Sequence, residues 1–171
     1  MFIIAQIFGA IALIILVISF QKNDKKELLK YQVFSSLFFA LQYLCLNAFT
    51  GCLMNIMTLI RNLIFNKYEK KVPIIYLIVV IISMVVLSII SFDGIISLLP
   101  AIAVILYSIA VWQNNLKITR IIEVISCSLF IIYNISVLAI IGLISTIIEL
   151  VSAITAIYKF DIKKKINDNI I

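Results

Sequence analysis

A chain of 171 residues that is 64% hydrophobic and 13% charged, with a mean hydropathy of +1.23, carries more apolar side chain than one water-soluble core of that size can bury. An ordinary soluble domain is excluded, and the net charge of +6 does not point to nucleic acid, because the basic residues sit in short clusters between apolar runs rather than in one patch with interleaved aromatics. With no histidine there is no imidazole base, metal ligand or near-neutral proton relay, so the chain is expected not to be an enzyme.

Taken in chain order, the apolar runs predict helices near 2–20, 33–49, 52–66, 73–92, 96–112, 121–140 and 143–159, since a lipid-exposed backbone must satisfy its own polar groups. The first run has no basic leader and continues past the small triplet "AIA" at 10–12, which predicts a retained span rather than a cleaved signal. Runs two and three are separated at Thr50 and Gly51, and runs six and seven at Ile141 and Gly142, so each pair reads as a tight hairpin. An unbroken helix over 33–66 would need about 50 Å of hydrocarbon, more than a bilayer core provides.

Orientation follows from the basic clusters. Lys22, Lys25, Lys26 and Lys30 precede run two; Lys67, Lys70 and Lys71 precede run four; Lys117 and Arg120 precede run six; Lys159 and Lys163 to Lys165 follow run seven. Seven spans put all of them on one side, with Asp93 alone opposite, and the positive-inside rule then places the N-terminus outside and the C-terminus in the cytoplasm.

The stretches "GAIALII" at 9–15 and "PAIAVIL" at 100–106 are spaced by 91 residues. The same shift pairs Ile4 with Ile95, Ser35 with Ser126, Phe39 with Phe130, Ala48 with Ala139 and Gly51 with Gly142, and a one-residue slip pairs Gln21, Asn23 and Lys25 with Gln113, Asn115 and Lys117. Polar matches of this kind predict an internal duplication. The expected organisation is a triple-helix repeat at 1–68, a linker with an orientation-inverting helix at 69–92, a second triple-helix repeat at 93–160 and a cytoplasmic tail at 161–171. The fold class is therefore all-α integral membrane, with seven transmembrane helices arranged 3+1+3.

On "GAIALIILVISFQKN", "PAIAVILYSIAVWQNN", "FALQYLCLNAFTG" and "LMNIMTLIRNLIFNKY", the chain resembles the YgjV-type bacterial inner-membrane proteins and, through its 3+1+3 plan, the MtN3/SWEET (PQ-loop) superfamily. The resemblance implies a transporter whose two repeats alternate access to a shared solute site, with a third-helix Asn at Asn55 and Thr146 in its place in the second copy. The proline of the superfamily's Pro-Gln pair is replaced by Phe20 before Gln21 and by Trp112 before Gln113, and sugar specificity is not carried over.

Polar residues at membrane depth are the remaining candidates. Gln42, Tyr43 and Asn47 answer Tyr133 and Asn134, with Asn55 and Thr146 one helix away; the set could ring a midplane cavity or simply bond helix to helix. Arg61 and Glu149 each cost roughly 2.5–3.5 kcal/mol at the bilayer centre unless paired or facing water. They stand at similar depth for an ion pair, although Arg61 could instead snorkel and Glu149 bond locally, while Glu123 reads as lying near an interface. Pro100 is a candidate bend that gates, or a packing notch. Cys45, Cys52 and Cys127 have no paired spacing and read as packing residues. No cofactor and no metal are expected, and the expected partners are a small polar solute and the lipid bilayer, with a homo-oligomer open. A receptor or assembly protein of the same fold is the competing reading.

Overall fold

The computed structural model describes residues 1–20, 25–68, 72–113 and 115–162, which are helical throughout apart from short connections. Gln21, Lys22 and Asn23, Lys70 and Lys71, and the tail lysines 163–165 lie outside the described residues. In order come α1 (Phe2–Phe20), α2 (Lys25–Cys45), α3 (Phe49–Asn66), α4 (Ile74–Ile90), a 3-10 turn (Ile95–Ser97), α5 (Leu98–Gln113), α6 (Leu116–Ser136), α7 (Ile140–Ala156) and a π-helical turn (Ile157–Ile162).

Among the described residues three helical stretches are long and apolar enough to cross a membrane: Ile95–Gln113, Lys117–Ser136 and Ile140–Lys159. Two shorter apolar ones are Phe2–Ile18 and Ile74–Ile90. Seven α-helices are present among the described residues, as expected, but α2 and α3 fall short of a spanning stretch there. The first opens on Lys25, Lys26, Glu27 and Lys30, and the second carries Asn55, Arg61 and Asn62, so each dilutes its apolar run with polar groups.

The spacing of 91 recurs in the backbone. The bounds of α2 become those of α6 on adding 91, and the start of α3 becomes that of α7. Asn47 and Leu138 both have φ of 56°, and the following Ala48 and Ala139 take nearly the same conformation, with ψ of 69° and 71°. The Ser35 hydroxyl donates to the Ala12 carbonyl at 2.9 Å, and Ser126 donates to Ala103 at 3.1 Å. Helices α1, α2 and α3 pack in sequence, as do α5, α6 and α7, while α4 bridges α3 and α5. Exchanging the two triplets carries the α1–α7 contact onto the α5–α3 contact. On α4 a single stripe, Leu77, Val80, Met84 and Ser88, is buried against the bundle, and Ile75, Ile78, Val79 and Ile82 stay exposed. That outward face suits lipid, where an apolar surface carries no cost.

The hairpin turns correct the expectation that Thr50–Gly51 and Ile141–Gly142 separate the spans. The chain reverses at residues 46–48 and 137–139, and both glycines lie inside the first turn of the following helix. Leu138 is exposed and takes the left-handed conformation, which costs an L-residue of its bulk about 1–2 kcal/mol, whereas asparagine tolerates it at the equivalent Asn47. Leu138→Asn should therefore stabilise the protein by about 1 kcal/mol, read as a rise of about 2–4 °C in the unfolding midpoint in detergent; no rise would mean the turn is not strained.

Candidate functional site

Corresponding faces of α2 and α6 converge on the space between the two triplets. On α2 the face runs Gln32, Ser35, Ser36, Phe39, Tyr43; moved by 91 it becomes Glu123, Ser126, Cys127, Phe130, Asn134. The spacings of three and four residues keep each set on one side of its helix. With Asn55 and Thr58 on α3 answering Thr146 and Glu149 on α7, these side chains line a cavity of about 250 Å³, the Asn134 side chain lying just beyond it.

At the hairpin end the cavity is roofed by a buried polar network. The Tyr43 hydroxyl donates to Asn134 Oδ1 at 2.5 Å, and Asn134 Nδ2 donates to Thr146 Oγ1 at 3.1 Å. Positions 43 and 134 are related by the shift of 91, so a residue here bonds to its own counterpart. The Tyr133 hydroxyl accepts the Gly51 N–H at 3.0 Å, and the Tyr43 and Tyr133 rings pack with centroids 5.8 Å apart. Gly51 is required by that approach and not by a turn, because a Cβ there would lie 2.7 Å from Tyr133 Cε1. Gln42 Nε2 reaches Gln6 Oε1 at 3.4 Å, while Gln42 Oε1 is buried with no hydrogen-bond partner among the described residues.

One guanidinium and two carboxyl groups line the cavity: Arg61 from α3, Glu123 from α6 and Glu149 from α7. Arg61 is only 3% exposed and does not snorkel. Its Nε and Nη2 donate to Asn62 Oδ1 at 3.2 and 3.0 Å, its Nη1 donates to Ser108 Oγ at 3.0 Å, and its guanidinium stands 5.3 Å over the Tyr107 ring. Glu149 Oε1 accepts from Ser145 Oγ at 3.2 Å. Among the described residues the guanidinium's bonds thus go to neutral oxygens and not to Glu149. Glu123 is within coulombic reach of both Arg61 and Glu149. One ligand atom each from Glu123, Cys127 and Glu149 lies within 4.8 Å of the other two.

Of the residues expected from sequence, Tyr43, Asn55, Arg61, Thr146 and Glu149 line the cavity, and Gln42, Tyr133 and Asn134 form its roof. Asn55 and Thr146 also play the same local part, bonding back to the Gly51 and Gly142 carbonyls at 2.9 Å each. Asn47 is drawn away: it is exposed in the first hairpin turn. Pro100 is buried in the first turn of α5, directly after the 3-10 turn, where its missing N–H breaks no bond internal to α5, so no mid-helix kink follows from it. Glu123, which the sequence reading set near an interface and did not count toward the pathway, stands in the cavity wall. The signal was present in its spacing from Cys127, Phe130 and Asn134 on one helical face, and in its isosteric counterpart Gln32.

No curated protein and no solved structure matches the chain. The family model Imp-YgjV, described as a bacterial inner membrane protein, matches residues 3–164. With helices suited to lipid and polar groups gathered inward, that match, spanning nearly the whole chain, makes this protein a member of the YgjV family of bacterial inner membrane proteins.

Proposed function

We propose that the chain is a SWEET-like carrier of a small polar solute, built 3+1+3 from two triple-helix repeats, in which α4 inverts the chain so that both repeats face the same way. The observation that carries this reading is the cavity of about 250 Å³, lined by equivalent positions of α2 and α6 and of α3 and α7. It is smaller than the roughly 300–1,000 Å³ of sites for drug-sized ligands, which suits a metabolite of few atoms. A receptor or assembly protein using polar residues only to hold helices together would gain nothing from leaving such a space between them.

The positive-inside rule orients the hairpins outward, so the Tyr43–Asn134 roof is the outer closure and the described arrangement is closed on that side. Alternating access then consists of the two triplets rocking so that this roof parts and the basic end closes. The orphaned Gln42 Oε1 favours such a motion, since a buried acceptor without a partner costs about 1–3 kcal/mol in the closed form and is relieved by water in the open one. Nothing in this reading calls for catalysis, a cofactor or nucleic acid.

Cys127 lines the cavity and provides a native probe. In a Cys45→Ser, Cys52→Ala background, a membrane-impermeant methanethiosulfonate should modify Cys127 in both right-side-out and inside-out vesicles. Labelling from neither side would remove the carrier reading, and labelling from one side only would leave a fixed cleft without alternation.

A further inference from the structure

Many of the positions that line the cavity correspond between the two halves, but the charges do not. Glu123 on α6 stands where α2 has Gln32, the uncharged residue of the same shape; Glu149 on α7 stands where α3 has Thr58; and Arg61 on α3 corresponds to the exposed Ser152 on α7. The first half has thus placed one basic group at the site and the second half two acidic ones. A cavity meant for a neutral solute would do better with the uncharged member of each pair, because an ionised group at membrane depth is costly to hold and a neutral solute offers it no counter-charge.

The remaining hydrogen-bonding capacity points the same way. Of the five N–H donors of Arg61, three are used among the described residues, on Asn62 and Ser108, which fix the guanidinium while leaving two donors and the positive charge without an anionic partner in bonding contact. Glu123 makes no hydrogen bond among the described residues, and Glu149 accepts one. Carboxylate oxygens of the two lie within 4.8 Å of each other. An ammonium nitrogen that donates to two oxygens at about 2.8 Å along tetrahedral N–H directions holds those oxygens about 4.6 Å apart, a separation inside the 4.8 Å limit that Glu123 and Glu149 keep.

We propose that the cavity takes a small zwitterion of the amino-acid class, with its carboxylate on the two free Arg61 donors and its ammonium shared by Glu123 and Glu149. The inference rests on the carrier reading above and narrows it to a substrate class. Cation or anion alone leaves one end of the site unanswered, and a buried charge without a partner weakens binding at least tenfold.

The test uses the purified full-length protein and four probes: L-alanine, ethylamine (alanine without its carboxylate), propionate (alanine without its ammonium) and glucose. Calorimetric binding should be at least tenfold tighter for alanine than for ethylamine or propionate, with glucose weakest. Glu123→Gln, which installs the side chain found at position 32, should weaken alanine at least tenfold and leave propionate within twofold of the wild-type value. Glucose binding with alanine silent would overturn the zwitterion and leave the carrier standing. Silence of all four overturns it as well, and the carrier falls too only if Cys127 also fails to react from one or both sides of the membrane. A response to Mn²⁺ or Zn²⁺ that Cys127→Ser removes, without a response to alanine, would overturn it in favour of a metal bound by Glu123, Cys127 and Glu149.

Discussion

If the cavity carries a zwitterion, Arg61→Gln should lower alanine uptake into proteoliposomes at least about hundredfold, and Arg61→Lys should recover only part of the loss. The first magnitude follows from removing two charge-assisted hydrogen bonds to a solute carboxylate, each contributing about 1.5–3 kcal/mol where about 1.4 kcal/mol is a factor of ten. The partial recovery follows from geometry. Lysine keeps the charge, but its ammonium has three donors in place of five, and it cannot both hold Asn62 and Ser108 and present a planar pair to a carboxylate. It also gives up most of the stacking on Tyr107. Uptake that survives Arg61→Gln within a factor of three would show that the guanidinium is only a strut between α3 and α5. Reactivity of Cys127 toward the impermeant thiol reagent separates the two causes of a loss, since a variant that folds and moves keeps the cavity open to it.

The parts of this molecule that depend on chain composition were legible before any coordinates. The apolar runs, the shift of 91 and the polar positions Arg61 and Glu149 follow from local letters and their periodicity, and the helices at 2–20 and 49–66 fall close to where those letters put them. The parts decided by close approach were not. A glycine between two apolar runs reads as a turn residue, because a turn is the commonest reason for a chain to need one. At Gly51 the need comes from a tyrosine 82 positions away, and at the true turn the left-handed residues are Asn47 and Leu138, one of which no propensity rule would select. Glu123 was hidden for a related reason. Its distance along the chain from a helix end suggests an interface, whereas its rotation about the helix axis, in register with Cys127 and Phe130, decides that it faces the cavity. The charge difference between Gln32 and Glu123 becomes informative only once the two faces are seen to meet.

Gly51→Ala and Gly142→Ala should differ sharply although the two glycines correspond. At Gly51 the added methyl would lie 2.7 Å from Tyr133 Cε1, 2.9 Å from its hydroxyl and 3.0 Å from Tyr43 Cδ1. Both rings are buried, at 2% and 3% exposure, and each is tied down: Tyr133 by the Gly51 N–H and Tyr43 by Asn134. Neither can retreat without losing a buried hydrogen bond. Overpacking of about 1–3 kcal/mol and one lost bond of about 1 kcal/mol give a destabilisation of about 2–4 kcal/mol, enough to lower the unfolding midpoint in detergent by about 4–16 °C. At Gly142 the methyl meets Asn134 Oδ1 at 3.3 Å and Gln42 Oε1 at 3.4 Å, contacts that a shift of a few tenths of an ångström relieves, so the cost stays below about 1 kcal/mol. Tyr133→Gln, which places at 133 the residue found at its counterpart 42, removes the obstructing ring. In a double-mutant cycle it should return most of the stability lost in Gly51→Ala, with a coupling of about 1–3 kcal/mol. Equal effects at the two glycines, or no coupling between positions 51 and 133, would mean that the Tyr133 contact does not hold the hairpins together.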